Sequence, residues 1–192
     1  RSAATLRIRE FLTRNGHPFK YLDLDRDVDV QDLLDRFQVD RGEVPVLICR
    51  GAALLKRPSN QEIADRLGFN EGIDKTRLRD VVIVGAGPAG LAAAVYAASE
   101  GLDALVIEAS SPGGQAGSSS RIENYLGFPT GISGQDLAGR AYAQAHKFGA
   151  TVMIAKRAAH LTCEEGPYGL RLDDGATIPA RTVIIATGAR YR

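Results

Sequence analysis

The stretch Val81-Val82-Ile83-Val84-Gly85-Ala86-Gly87-Pro88-Ala89-Gly90 constrains the fold more than any other part of the chain. Four consecutive β-branched residues, Val81 to Val84, read as a buried strand of a parallel sheet, apolar on both faces. A glycine-rich turn follows, and then an alanine-rich helix from about Pro88 to Ser99. The three glycines have separate physical jobs at this spacing. Gly85 allows the tight turn, Gly87 lets the main chain approach a pyrophosphate, and Gly90 lets the helix pack close to the strand. Pro88 falls in the first helical turn, where a missing N–H does no harm. The helix amides and dipole at that end favour an anion. A second strand, Ala104-Leu105-Val106-Ile107, ends at Glu108, 23 residues after Gly85. An acid so placed is spaced to bind a ribose 2′-OH and to repel a 2′-phosphate, so this site should not prefer NADP. The residues by themselves therefore predict dinucleotide binding.

The same stretch, Val81 to Ala98, carries eighteen residues without a charge, enough by length to cross a membrane. Gly85, Gly87, Pro88 and Gly90 interrupt it early, and strand, turn and helix explain it better. No membrane partner is expected. Net charge is +1, so no nucleic-acid partner is implied, and short basic clusters such as Lys56-Arg57 read as solvated faces. The two cysteines, Cys49 and Cys163, lie far apart and form no CxxC, which suits a reducing cytoplasm. His17, His146 and His160 share no metal spacing, and no metal site is expected.

Residues 1–67 read as a separate small α/β unit, 68–79 as a polar, glycine-containing linker, and 80–192 as a second unit. In the first, Ala3–Thr13 is a helix with Leu6, Phe11 and Leu12 near one face, stopped by Asn15-Gly16. Phe19–Leu24 alternates weakly as a strand, and Asp29–Phe37 is an amphipathic helix. Val44–Cys49 is a strand with proline near its start, turning at Arg50-Gly51 into Ala53-Leu54-Leu55. Ser59 and Glu62 make a capping box for a last helix ending at Leu67 and Gly68. This order resembles a thioredoxin or glutaredoxin fold lacking its first strand, with Val44-Pro45 where that family has a cis-proline. Where that family carries its reactive dithiol, this chain has Arg1-Ser2-Ala3-Ala4. The resemblance thus implies a unit unable to perform ordinary dithiol exchange.

Four signatures, in order, tie the second unit to a family. They are Gly85-x-Gly87-Pro88-Ala89-Gly90, Gly113-Gly114-Gln115, Glu123-Asn124-x-x-Gly127-x-Pro129, and the strand Thr182-Val183-Ile184-Ile185-Ala186-Thr187-Gly188-Ala189. Together they resemble the thioredoxin reductases and the flavoprotein subunit of alkyl hydroperoxide reductase. The resemblance implies a Rossmann-type FAD/NAD(P)-binding domain, of which this chain holds the first half, with FAD as cofactor. Gly113 and Gly114 would bring backbone amides close to the ribityl chain and flavin. Gln115 and Asn124 would offer amide groups to the flavin's polar edge. Thr187-Gly188 would pass tightly beside the cofactor, and a backbone group near Ala158 would pair with adenine.

The family also has a second glycine fingerprint for NADPH and a CxxC, neither of which follows Gly188 before Arg192. The chain begins with Arg1 rather than Met, so a piece of a longer protein is expected, inactive by itself. The parent implied is an oxidoreductase passing electrons from NADPH or another donor through FAD to a disulfide, of thioredoxin or another protein, commonly as a homodimer. The alternative from another class is a redox-inactive flavin or nucleotide sensor whose N-terminal unit docks a partner. No residue stands out as a catalytic acid, base or nucleophile.

Overall fold

The computed structural model describes residues 2–28, 30–49, 53–164 and 166–189. Contacts divide the chain into two compact units, 1–67 and 68–192.

The first unit is built from helix α1 (Ala3–Arg14), α2 (Val30–Arg36), strands β1 (Val46–Cys49) and β2 (Ala53–Lys56), and α3 (Asn60–Leu67). β1 and β2 pair antiparallel, Val46 opposite Lys56. The turn expected at Arg50-Gly51 lies outside the described residues, as does Asp29. Ser2 caps α1, accepting from the Thr5 amide, and α1 buries Ile8, Phe11 and Leu12. Leu6 is exposed instead, because the buried stripe follows Ile8 and its neighbours one turn on. Ser59 and Glu62 form the capping box of α3 reciprocally, Glu62 N–H to Ser59 Oγ at 3.2 Å and Ser59 N–H to Glu62 Oε2 at 2.7 Å. The Arg7 guanidinium donates to Asn60 Oδ1 and to the Pro58 carbonyl, tying α1 to the start of α3. Val44–Pro45 is a cis peptide.

The strand expected over Phe19–Leu24 is absent. Asp27 Oδ2 accepts from the Asp23 amide at 2.6 Å and Asp23 Oδ1 from the Asp25 amide at 3.2 Å, so aspartate side chains turn the backbone locally. Leu22 and Leu24 still pack on Val30, Leu34 and Val39. Tyr21 to Leu24 are all half-buried, so the two leucines anchor a locally turned segment with neither an alternating face nor a ladder.

The second unit holds β3 (Arg79–Val84), α4 (Pro88–Ser99), β4 (Ala104–Glu108), α5 (Gly134–Lys147), β5 (Thr151–Ile154), β6 (Ala158–Thr162), β7 (Tyr168–Leu172) and β8 (Thr177–Ile185). They form one six-stranded sheet in the order β5-β4-β3-β8-β7-β6. β5, β4, β3 and the second half of β8 are parallel, while β6, β7 and the first half of β8 form an antiparallel meander. The strand expected from Thr182 to Ala189 therefore begins earlier, at Thr177, and ends at Ile185. Ala180 is the hand-over point, paired with Tyr168 on one side and Arg79 on the other.

Val82, Leu105, Ile107 and Met153 pack with Leu170, Leu172, Ile178 and Ala180 in one buried cluster. Alternate residues such as Ile83 turn toward α4, since successive strand side chains face opposite ways. All five residues of β4 are buried, as a central strand covered on both faces requires. Among the described residues, no helix is long and apolar enough to cross a membrane.

An ion cluster fastens the meander. Asp174, in the β7–β8 turn, meets Lys75 at 3.0 Å and the buried Lys156 at 3.2 Å. Burial pushes the Asp174 carboxyl up, but the Ala176 amide and the two ammonium groups outweigh it and hold it at about 2, against an ordinary 3.8. A carboxyl depressed on folding stabilises above its unfolded value and loses that contribution as pH falls toward its folded one. Asp174→Asn should therefore lower the denaturation midpoint at neutral pH, and the gap from the unsubstituted chain should shrink between pH 3.8 and about 2. Denaturant titrations at pH 7 and pH 2 check this.

Candidate functional site

The turn between β3 and α4 is where the chain's closest backbone approaches meet. Gly85 has φ +103°, and a Cβ there would stand 2.4 Å from the Ala186 carbonyl oxygen. The chain leaving β8 lies against this turn, with the Ala186 amide donating to the Val84 carbonyl at 2.8 Å. A Cβ on Gly90 would stand 1.8 Å from the Gly85 carbonyl oxygen and 3.4 Å from Ile83 Cγ2. Gly87 is different. Its backbone is ordinary (φ −70°, ψ −179°), and a Cβ there would meet no heavy atom within 4 Å. Two glycines are thus demanded by the protein's own packing, while the third faces open space.

That space lies at the mouth of α4. The first intrahelical bond runs from the Leu91 amide to the Gly87 carbonyl at 2.9 Å, so the preceding N–H groups have no acceptor within the helix. Such an end carries partial positive charge and suits a phosphate. Pro88 takes the first helical position.

Glu108 closes the other side of the turn. It is buried at the tip of β4; Oε2 accepts from the Ala86 amide at 2.8 Å and Oε1 from the Ser110 amide at 2.8 Å. Each carboxylate oxygen keeps further acceptor capacity, so a ribose hydroxyl can still be bound. The sequence reading missed Ala86 as a hub. Its amide serves Glu108 and its carbonyl accepts from the Gly113 amide at 2.7 Å, and nothing in an alanine's identity signals this.

Gly113 and Gly114 are also fixed by packing. A Cβ on Gly113 (φ +102°) would stand 2.5 Å from Ala138 Cβ on α5, and one on Gly114 (φ +54°) 3.1 Å from Gly87 Cα. The expected reason, room for a ligand, is therefore preceded by a protein one: this loop is pressed onto α5 and onto the fingerprint turn. Gln115 donates from Nε2 to the Ala189 carbonyl at 2.6 Å, clipping this loop to the segment after β8. Thr187 borders the same turn, its Cα 3.3 Å from the position of a Cβ on Gly85. Gly188 has φ +71° with open space around it.

Gly85, Gly87, Gly90, Glu108, Gly113, Gly114, Gln115 and Thr187 thus converge, with Pro88 and Ala89 opening the helix. Asn124 stands exposed in the loop that the Ile122–Ile132 bridge closes. Its neighbour Tyr125 lines a small apolar cleft with Pro88, Leu91, Gly113 and Ala138. Ala158 begins β6, paired with Leu172. It follows Lys156, whose amide donates to the Glu108 carbonyl at 3.0 Å. Among the described residues, no cluster of His, Cys, Asp or Glu could hold a metal ion.

A parallel sheet whose first strand enters a glycine turn and a helix N-terminus, with an acid at the tip of the next strand, defines a Rossmann-type dinucleotide-binding domain. Comparison makes the class specific: residues 79–192 match the family profile of the pyridine nucleotide-disulphide oxidoreductases, and the chain belongs to that family. Within it the chain is thioredoxin-reductase-like. It is 42% identical over 113 residues to the thioredoxin reductase of Ureaplasma parvum, covering 59% of this chain and 36% of that protein. It is 38% identical over 120 residues to that of Bacillus subtilis, covering 62% and 37%. The crystal structure of thioredoxin reductase from Streptococcus pyogenes superposes with a TM-score of 0.57 at 39% identity, covering 60% of this chain and 37% of that one. The chain thus spans just over a third of the length of these relatives.

Proposed function

We propose that residues 68–192 form the opening part of an FAD site. The pyrophosphate would sit over Gly87 at the N-terminus of α4, the ribose of the adenosine half on Glu108, and the flavin half toward Gly113, Gly114, Gln115 and Thr187-Gly188. Asn124 and Ala158 would contribute at the flavin edge and the adenine, respectively. The observation that carries this reading is the open space outside Gly87 in a turn otherwise closed to any added atom. When bound, FAD supplies the two-electron chemistry; the chain's residues bind it, orient it and set its surroundings.

The whole protein, on this reading, is a thioredoxin-reductase-type enzyme passing electrons from NADPH through FAD to a disulfide of thioredoxin or a similar protein. The relatives named thioredoxin reductase support this. A second glycine fingerprint, for NADPH, and a redox-active CxxC would belong to the part of the relatives' length that this chain does not span. A reducing cytoplasm and a homodimeric assembly fit the same reading. The second reading is a redox-inactive flavin or nucleotide sensor in which residues 1–67 would dock a partner. It is favoured by the lack of a CxxC in residues 1–67, where Ser2, Ala3 and Ala4 open α1.

Reconstitution of the purified chain with FAD, followed by desalting, tests the site. A retained flavin spectrum in a fixed ratio to protein is the expected result. Complete loss of the flavin on desalting, with no binding seen in an equilibrium titration, would end the proposal.

A further inference from the structure

The family profile begins at residue 79, yet the second compact unit begins at Gly68. The eleven residues between are not idle. Asn70 Nδ2 donates to the Ile154 carbonyl at 2.8 Å, and Asn70 Oδ1 accepts from the Ile154 amide at 2.8 Å. β5 is the terminal strand of the sheet, and Ile154 is its last residue. A single carboxamide therefore satisfies both peptide groups of one residue at an open edge, as a neighbouring strand would. Turns place it there: Gly68 has φ +75° and accepts from the Glu71 amide at 3.2 Å, and Ile73 packs on the sheet's main apolar cluster.

Ile154 is not an arbitrary residue to hold. It pairs with Glu108 across the sheet. The next residue, Ala155, is buried with φ +57°, a left-handed conformation that a side chain bearing a Cβ adopts only when its surroundings impose it. Beyond the kink, the Lys156 amide bonds the Glu108 carbonyl at 3.0 Å, the Lys156 ammonium bonds Asp174, and the Arg157 carbonyl accepts from the Asp173 amide at 2.9 Å. The crossover from β5 to β6 is thus pinned downstream by the meander and by Glu108, and upstream by Asn70.

We infer that Asn70 is a positioning residue for the adenosine end of the dinucleotide site, acting through the Ile154–Arg157 crossover. The inference rests on the proposed FAD site. A ribose bound by Glu108 carries its base past the tip of β4, where this crossover runs. Asn70 fixes where the kink at Ala155 stands, and so fixes the wall against which the base lies. A segment outside the family's matched domain would then complete that domain's nucleotide pocket.

The test uses the full chain with Asn70→Ala and the milder Asn70→Gln, which keeps the carboxamide but displaces it by one methylene. Dissociation constants for FAD and for ADP, which carries only the adenosine end, are measured at a temperature where all variants are folded. Amide hydrogen exchange over residues 154–157 is measured without ligand. The expected result is that both ligands weaken by a similar factor, on the order of tenfold for Asn70→Ala and less for Asn70→Gln, with faster exchange confined to the crossover. If Asn70→Ala does not fold, Asn70→Gln carries the same comparison. Wild-type affinity for both ligands in a variant whose melting temperature has fallen would show a purely structural role and overturn the inference. Failure of the unsubstituted chain to bind either ligand would instead remove the FAD site itself, and the inference with it.

Discussion

Gly87→Ala should leave the protein folded and weaken its affinity for FAD on the order of a hundredfold, about 2.7 kcal/mol of binding energy. Gly87 has φ −70° and ψ −179°, which alanine adopts without strain, and the added methyl would touch no heavy atom of the protein within 4 Å. Gly87 is the N-cap of α4, where alanine is poorer than glycine by a fraction of a kcal/mol, and no packed atom resists the change, so the melting temperature should fall by no more than about 3 °C. The methyl instead occupies the approach to the N-terminus of α4, where a pyrophosphate must come within hydrogen-bonding distance of backbone amides. A fluorescence titration with FAD, paired with thermal melts, separates the two quantities. Unchanged FAD affinity in Gly87→Ala would mean that the space outside this residue is not where a phosphate binds.

Gly90→Ala should do the reverse. A Cβ there would sit 1.8 Å from the Gly85 carbonyl oxygen and 3.0 Å from its carbon, and both are backbone atoms that cannot rotate away. Relief requires α4 to move off β3 or the turn to open, and either disturbs the buried contacts of Ile83 and Leu91. A forced backbone shift in a close-packed region costs about 3 kcal/mol or more. For a unit of this size that is a loss of about 10 °C in melting temperature. FAD affinity should also fall, because the same shift moves Gly87 and Ala86. The comparison is informative because the two substitutions are chemically identical and lie three residues apart. A Gly90→Ala protein that melts within about 2 °C of the parent would show that the helix does not pack onto the turn as described.

Much of the site was legible because it is local. The run Val81–Val84, the three glycines, the proline in the first helical turn and the acid ending β4 lie within 28 residues, and the structure gives strand, turn, helix and strand at those places. The α3 capping box was legible for the same reason, Ser59 and Glu62 being three residues apart. Where the reading missed, the deciding partner was remote or the local signal had two causes. Leu22 and Leu24 alternate in the sequence and pack on the first unit's core, but a period of two does not say whether a ladder partner exists. The division of β8 between two sheet directions depends on β3, which ends as far back as Val84, as well as on the neighbouring β7.

The sequence by itself determined that this chain contains a parallel strand feeding a glycine turn and a helix N-terminus, with an acid poised beside it. Those features are written in residues whose steric and electrostatic preferences act over a few positions. Only the tertiary structure decided which remote atoms crowd Gly85 and Gly113, the chain leaving β8 for the first and Ala138 on α5 for the second, and that Gly87 is left facing open space. It also decided that Asn70, in what reads as a linker, closes the sheet edge at Ile154. The contacts of Gly85 with Ala186 and of Asn70 with Ile154 bring atoms within 3 Å from distant parts of the chain, and backbone identity, being the same at every position, leaves no trace of them in the side-chain pattern.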